Sequence, residues 1–280
     1  MSDFEEYIKK HFLEPIRTEK EIEHAIEVIQ SETDNYIKKH KLRSLVLGIS
    51  GGIDSAFAAA LLKPVCEQNN ISLIGRSITI ETNTSDEINR SILVGKNFCH
   101  NFEHLDFTEI YRLTKTNLYP TNQSALSKFR MGNCKARLRM ITLYDLAQQH
   151  TGIVISTDNF TEYLTGFWTL HGDVGDFAPF IHLWKSEVYF ASSVLSKKLD
   201  IDSKKALSLC IYAKPTDGLG ISDSDFDQLN VSSYQEADKL FIKYFKGDKS
   251  LENHTLIKRF HSSSYKRNNP IIINRNILTS

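Results

Sequence analysis

Short runs of consecutive apolar residues alternate along this chain with longer segments in which apolar residues recur every three or four positions. The short runs predict strands at residues 44–49, 71–80 and 152–156, and a less apolar segment at 102–106 predicts a further strand. The longer segments predict amphipathic helices from Thr18 onward, over 54–62, 84–98, 108–118 and 131–149, and again from about Trp184. Strands that alternate with helices predict an α/β fold: a doubly wound parallel sheet with helices on both faces, in a single domain over residues 1–280.

The turn between the first strand and its helix is the most distinctive stretch of the chain. It reads Gly48-Ile49-Ser50-Gly51-Gly52-Ile53-Asp54-Ser55. Adjacent glycines allow the backbone to approach a ligand closely, and successive N–H groups followed by a helix N-terminus form a concave site for anions. We therefore expect a phosphate group at this turn.

A different reading of the same turn is the nucleophile elbow of a serine hydrolase, because residues 48–52 satisfy G-x-S-x-G with Ser50 as the nucleophile. Such an elbow normally follows several earlier strands, whereas only helical segments precede residue 44, and no HGGG-type segment is found. The dinucleotide fingerprint G-x-G-x-x-G and the Walker pattern are both absent. A phosphate site is therefore favoured, with a serine hydrolase as the distant alternative.

Composition limits the remaining classes of function. Lys plus Arg equals Asp plus Glu at 34 each, which argues against a broad nucleic-acid surface. The four cysteines, Cys66, Cys99, Cys134 and Cys210, are too widely spaced for a C-x-x-C pair, as expected for a protein of a reducing cytoplasm. No segment has the length and apolar content of a membrane span. We expect a cytoplasmic enzyme with no nucleic-acid or membrane partner.

Polar and acidic residues follow the fourth predicted strand. Thr157 and Glu162 come directly after it, and a glycine-punctuated stretch with two acids, Asp173 and Asp176, follows. Because ligands in parallel sheets collect beyond the carboxyl ends of the strands, these groups should lie beside the phosphate turn. Arginines near the start of the 131–149 helix, among them Arg137 and Arg139, would suit phosphates or a carboxylate.

The turn resembles the S-G-G-x-D-S pyrophosphate loop of the ATP pyrophosphatase superfamily. Over residues 20–270 the similarity narrows to the ammonia-dependent NAD synthetases, through Gly132-Asn133, Ala136-Arg137-x-Arg139-Met140, Thr157-Asp158-Asn159-x-x-Glu162, Gly172-Asp173, Leu183-x-Lys185 and Pro215-Thr216. This resemblance implies an adenine nucleotide alpha hydrolase-like fold. It also implies a ligase that uses ATP, Mg2+ and ammonia to amidate the nicotinate carboxylate of deamido-NAD, acting as a homodimer.

The resemblance also implies roles for individual residues. It assigns ATP binding to Gly48, Ile49, Ser50, Gly51, Gly52, Ile53, Asp54, Ser55, Thr157, Lys185 and Thr216. It assigns magnesium to Asp54 and Glu162, and catalysis to Asp173, which handles ammonia, and Lys185, which stabilises the phosphorus centre. It assigns deamido-NAD binding to Arg137, Leu170, Asp176, Tyr265 and Lys266.

Several positions depart from the family pattern. Leu170 stands where many members carry a lysine, Tyr265 where histidine is usual, Phe226 where an acid is usual and Ser156 where glycine is common. Because three of these lie on the acceptor side or in a predicted mobile lid at 213–234, the acceptor stays open. Another carboxylate, such as nicotinate mononucleotide, is the first alternative, and a nucleotide-binding regulator without catalysis is another.

Overall fold

The computed structural model describes residues 3–118, 127–215 and 224–278. In this part of the chain, four parallel strands form one sheet in the order β3-β2-β1-β4. Their bounds are β1 Ser44–Gly48, β2 Ser72–Thr79, β3 Asn101–Asp106 and β4 Gly152–Val154. The order reverses between β1 and β4, and at such a point parallel α/β sheets bind their ligands.

Helices connect and follow the strands. Before and between them lie α1 Asp3–His11, α2 Glu19–His40, α3 Ile53–Gln68, α4 Ser85–Phe98, α5 Thr108–Leu118 and α6 Ser127–Gln149. After β4 come α7 Phe160–Thr165, α8 Lys185–Ser196, α9 Ile201–Ile211, α10 Asp225–Leu229, α11 Tyr234–Phe245, a 3-10 turn Lys249–Asn253, α12 Thr255–Ser262, α13 Ser264–Arg267 and α14 Arg275–Leu278. None of the described helices is long and apolar enough to cross a membrane.

Successive residues of β1 point into two different cores, which shows that both faces of the sheet are covered. Leu45 and Leu47 belong to the large core formed with α2, α3, α8 and α9. Val46, between them, packs with Val154 of β4 and Ala147 of α6 on the other face. The predicted doubly wound parallel sheet with helices on both faces is therefore confirmed.

A separate core holds the C-terminal helices against the end of the sheet. It contains Phe160, Trp184, Phe241 and Phe260, and Phe12 of the N-terminal segment stacks on Phe160 with ring centroids 3.8 Å apart. The helix periodicity gave no sign of this second cluster, since its members come from widely separated segments. It supports α7 and α8, which carry Glu162 and Lys185.

Three boundaries differ from the sequence prediction by two residues or more. The helix expected over 131–149 begins at Ser127. The helix expected over 54–62 continues to Gln68, through Pro64. Pro64 has no backbone N–H to donate within the helix. Near it, the Leu61 carbonyl accepts a hydrogen bond from Gln30 Nε2 of α2 at 2.9 Å. The strand expected over 152–156 ends at Val154, and Ile155 makes only an isolated bridge to Phe177.

Candidate active site

The predicted phosphate turn lies at the carboxyl end of β1, where Gly48 ends the strand and Ile53 begins α3. Hydrogen bonds among its own residues shape it: Ser50 N–H donates to Ser55 Oγ at 3.2 Å, and Gly52 N–H donates to Ser50 Oγ at 3.2 Å. Gly51 has φ +83°, and a Cβ there would lie 2.4 Å from the Glu87 carbonyl oxygen of α4. Glycine is thus required at 51 by both its backbone angle and its neighbour.

An ion-pair cluster stands beside this turn. Lys185 Nζ lies 2.5 Å from Asp54 Oδ2 and 2.9 Å from Glu162 Oε1. The lysine side chain is 4% exposed, whereas those of Asp54 and Glu162 keep 16% and 18%. The three residues come from the starts of α3, α7 and α8, so the fold brings together distant parts of the sequence.

The pKa values of this cluster follow from burial and mutual charge. Burial alone would lower the pKa of the Lys185 ammonium, but Asp54 and Glu162 outweigh it and raise that pKa well above its ordinary value. Burial raises the pKa of the Glu162 carboxyl, which Lys185 opposes and Asp54 reinforces. Lys185 is therefore a permanent cation, held by two carboxylates that share it.

A cavity of about 580 Å³ opens above the turn and the ion-pair cluster. Most of the residues predicted to bind substrates line it: Gly48, Ile49, Ser50, Gly52, Ile53, Asp54, Ser55, Arg137, Thr157, Glu162, Leu170, Asp173, Lys185, Tyr265 and Lys266. Its size is that of a site for a nucleotide-sized ligand. The predicted ATP and acceptor residues thus face one space.

Asp158 and Asp173 are two acids that line this cavity; Asp158 is buried, whereas Asp173 is exposed. Asp173 Oδ1 accepts a hydrogen bond from Thr169 N–H at 2.6 Å, and desolvation by the surrounding protein raises the pKa of the Asp173 carboxyl. Asp158 Oδ2 accepts from Ser156 Oγ–H at 2.6 Å. Burial, assisted by the Asp173 charge, raises the pKa of Asp158 to about 7.

The cations predicted for the acceptor side are held by backbone carbonyls. Arg137 donates from Nε and Nη2 to the Leu170 carbonyl at 3.3 Å each. Lys266 Nζ donates to the Gly166 carbonyl at 2.7 Å and also to that of Trp168. Leu170 and Lys266 also line a second, adjoining cavity of about 470 Å³.

Three predicted site residues are not among the described residues that line the cavities. Gly51 belongs to the phosphate turn but lines neither cavity. Asp176 is absent from the described lining of both cavities; its carboxylate accepts from Tyr144 Oη–H at 3.0 Å and from Val154 N–H at 3.2 Å. It supports the edge of β4 in this chain. Thr216 lies outside the described residues, as does part of the predicted lid at 213–234; its described end includes α10.

Two functional candidates were missed in the sequence analysis. Asn159 caps α7 in a capping box with Glu162, and its Nδ2 donates to Asp54 Oδ1 at 2.9 Å. Arg90 reaches the phosphate turn from α4. Only Asn159 had a local signal, its position three residues before Glu162.

Arg139, which the sequence suggested for phosphates or a carboxylate, lines the cavity half-buried, with Nε donating to the Ile78 carbonyl at 2.9 Å.

The serine hydrolase reading lacks its base. Ser50 Oγ lies 3.1 Å from Ser55 Oγ and accepts from Gly52 N–H. No histidine occurs among the described residues that line the cavity, so nothing there activates Ser50 as a nucleophile.

Comparison with known proteins decides between the readings. The family model described as NAD synthase matches residues 25–270. The chain belongs to the NAD synthase family. The family predicted from the motifs is therefore confirmed, and so is the prediction that the chain is an enzyme, a synthetase of NAD.

Individual relatives agree with this membership. The chain is 32% identical over 233 residues to the NH3-dependent NAD+ synthetase of Finegoldia magna, covering 82% of this chain and 88% of that one. It is 33% identical over 249 residues to that of Mycoplasma genitalium, with 87% and 92% covered. The solved structure of NMN synthetase from Francisella tularensis has a TM-score of 0.74 at 24% identity, covering 90% of this chain and 98% of that one. An identity this low shows the shared NAD synthase fold alone.

Proposed function

We propose that this member of the NAD synthase family converts the nicotinate carboxylate of deamido-NAD to the amide, using ATP and ammonia and releasing AMP and pyrophosphate. The observation that carries the proposal is the single cavity in which the phosphate turn, the Lys185 ion-pair cluster and the Asp173 side meet. A carboxylate does not react with ammonia, so it must first be activated, and both reactants must share one closed space.

The first step joins the acceptor to AMP. A carboxylate oxygen attacks the α-phosphorus of ATP, and the bond from that phosphorus to the pyrophosphate oxygen breaks. The backbone N–H groups of the turn and the N-terminus of α3 are suited to hold the departing pyrophosphate. Lys185, fixed by Asp54 and Glu162, places a permanent positive charge beside the reacting phosphate, where negative charge develops.

In the second step ammonia attacks the acyl carbon, the bond to the AMP oxygen breaks and one proton leaves the new amide. Asp173 lines the cavity, and its raised pKa suits it to hold ammonia or accept that proton. Arg137 and Lys266 would supply positive charge to the acceptor, and Leu170 and Tyr265 line the cavity with them as further residues proposed to contact it. Asp176, outside the described lining, is proposed to act on the acceptor only indirectly, through the edge of β4 that it supports. Thr157 and Thr216 are proposed to contact ATP.

Magnesium fits the residues present. Asp54 and Glu162 both keep part of their surface in the cavity, and they already share one cation, the Lys185 ammonium. No group of three or more His, Cys, Asp or Glu able to hold a metal occurs among the residues the structure describes. Mg2+ needs only one or two protein carboxylates when phosphate oxygens and water complete its shell. Bound there, it would neutralise charge on the phosphates.

We also propose a homodimer that assembles through α5 and α6. These helices expose apolar side chains that a soluble monomer would rarely leave open together: Ile110, Leu113, Leu118, Phe129 and Ile141. Phe129 also lines the cavity, so a partner on this face would cover its mouth. Light scattering should give twice the 32.0 kDa chain mass, and Ile141→Asp should give the monomer mass.

We propose the cytoplasm as the compartment of this protein. Its four cysteines are free, which suits a reducing environment.

The function is tested by supplying ATP, Mg2+ and ammonia with deamido-NAD or nicotinate mononucleotide and identifying products by mass. We expect NAD, AMP and pyrophosphate in equal amounts, with deamido-NAD as the preferred acceptor. Preference for nicotinate mononucleotide would show that this compound, and not deamido-NAD, is the acceptor. ATP binding without pyrophosphate release would show that the protein is a nucleotide-binding regulator without catalysis. Asp54→Asn and Glu162→Gln should lower turnover by about a hundredfold and raise the magnesium requirement; unchanged dependence on magnesium would contradict their assignment.

A further inference from the structure

Arg90 of α4 contacts the phosphate turn directly. Its Nε donates a hydrogen bond to the Gly51 carbonyl at 2.9 Å, and its side chain, half-buried, lines the main cavity. Among the residues that the structure describes, Gly51 is the one hydrogen-bond partner of this guanidinium. An arginine has five N–H donors in a planar fork, and this contact uses one of them.

The packing of α4 against the turn holds Arg90 in place. A Cβ on Gly51 would lie 2.4 Å from the Glu87 carbonyl oxygen and 3.1 Å from Ser91 N, so the two backbones touch on either side of Arg90. The contact between α4 and the phosphate turn therefore positions the Arg90 guanidinium, so this side chain loses little conformational entropy when a ligand binds.

Two other cations that line the cavity, Lys185 and Arg139, already have partners in this structure. Lys185 is shared by Asp54 and Glu162. Arg139 donates to the Ile78 carbonyl and to Asn83 Oδ1. A bound triphosphate carries several negative charges, and the charge of Lys185 is already shared by Asp54 and Glu162, so a second cation at the turn would meet phosphate charge that is not yet compensated.

We propose that Arg90 binds the β- and γ-phosphates of ATP from the α4 side of the turn and holds pyrophosphate as it leaves. This inference rests on the proposed function, because it assigns a further binding residue for the same reaction. As the bond between the α-phosphorus and the bridging oxygen breaks, negative charge collects on pyrophosphate, and the guanidinium pairs with it through two N–H groups. An arginine keeps its charge and transfers no proton here, so pyrophosphate departs as the anion.

Arg90→Gln tests the proposal, because glutamine keeps an uncharged donor and removes the charge and the fork. With free Mg2+ held constant, we expect pyrophosphate to inhibit the variant about tenfold to a hundredfold more weakly than the parent, the loss expected for a charge-assisted contact. The KM for ATP should rise, while inhibition by AMP and the KM for deamido-NAD should stay unchanged. Arg90→Lys should recover part of the pyrophosphate inhibition.

Lys96→Gln removes an exposed positive charge from the same helix away from the cavity, and it should leave pyrophosphate inhibition as in the parent. If Arg90 serves only to hold the Gly51 carbonyl, AMP and pyrophosphate inhibition should weaken together, and this overturns the proposal. Wild-type pyrophosphate inhibition in Arg90→Gln overturns it as well. Neither result contradicts the proposed function. That function is contradicted by a different outcome, in which the parent enzyme releases no pyrophosphate.

Discussion

The side-chain amide of Asn159 donates a hydrogen bond to Asp54 Oδ1 at 2.9 Å, joining the segment after β4 to the phosphate turn after β1. This contact spans the point where the strand order of the sheet reverses. Because Asn159 also caps α7 in a capping box with Glu162, one side chain aligns both proposed magnesium ligands.

Asn159→Asp should lower kcat by about tenfold to a hundredfold, the usual cost of disturbing a residue that orients metal ligands. Aspartate caps a helix as well as asparagine does, so α7 should keep its start. The new carboxylate would face Asp54 and repel it. Asn35→Asp, the same change at an exposed position of α2, is the control and should leave steady-state kinetics as in the parent. Equal kcat in both variants would show that the Asn159 contact has no role in the reaction.

Gly51→Ala should destabilise the protein more than Gly247→Ala, although both glycines have positive φ. Gly247 has φ +107° with nothing within 4 Å of an added Cβ, so its variant measures the backbone term alone, about 1–2 kcal/mol. At Gly51 the Cβ meets the α4 backbone, which should add about 1–3 kcal/mol and raise the KM for ATP. Urea unfolding measures the difference, and equal losses would mean that the turn shifts freely away from α4.

Leu170→Lys should tighten acceptor binding and lower the KM for deamido-NAD about tenfold, leaving the KM for ATP nearly unchanged. Leu170 lines both cavities, so a lysine there gains access to an anionic group of the acceptor, and one charge-assisted contact has about this effect. Leu209→Lys, at an exposed position of α9, is the control. Unchanged acceptor constants would show that leucine simply packs at this position, and a change confined to ATP would place it on the other side of the site.

Glu187 should make stability depend on pH. Its buried carboxylate accepts from Ile16 N–H at 2.6 Å and Trp184 N–H at 2.8 Å, and burial raises its pKa from 4.5 to about 7. A raised pKa means that the folded state binds the proton more tightly than the unfolded state does. The stabilisation that comes from the protonated Glu187 carboxyl is therefore complete below pH 4.5 and is lost as pH rises through about 7.

The free energy of unfolding of the parent, relative to that of Glu187→Gln, should fall by about 3 kcal/mol between pH 4.5 and pH 8. Glutamine does not titrate and keeps one oxygen to accept an N–H group. Urea unfolding at several pH values measures both proteins. A difference that stays constant across this range would show that Glu187 ionises in the folded protein as it does in the unfolded chain.

Local patterns predicted most of the sheet and the phosphate turn. The apolar runs placed β1 and β2 within a residue or two, because strands buried on both faces have continuous apolar sequences. β3 was placed equally closely although it is a mostly exposed strand. The turn was recognisable because the residues that shape it are neighbours in the sequence: glycine at 51, and Ser50 and Ser55 close enough to bond each other. The predicted helix start at Thr18 is confirmed, since Thr18 caps α2 in a capping box with Glu21.

Contacts between distant segments were not predictable from periodicity. The Lys185 to Asp54 ion pair spans 131 residues; the family resemblance assigned both residues to the ATP site but did not predict this pair. Helical spacing over 84–98 places Ile88, Ile92 and Val94 or Gly95 on the inward face of α4. Val94 and Gly95 are buried, together with Ser91 and Phe98, whereas Ile88 and Ile92 are half-buried. Ser91 is buried because its hydroxyl bonds Ser77 of β2 at 2.7 Å, a pairing that the helix sequence alone does not reveal.

The most direct test of the proposed chemistry follows one oxygen atom. Deamido-NAD labelled with 18O in its nicotinate carboxylate is incubated with the enzyme, ATP, Mg2+ and ammonia, and the products are analysed by mass. If the carboxylate attacks the α-phosphorus, one labelled oxygen must appear in AMP and none in pyrophosphate. Unlabelled AMP, or label in inorganic phosphate formed together with ADP, would contradict activation through an acyl-adenylate.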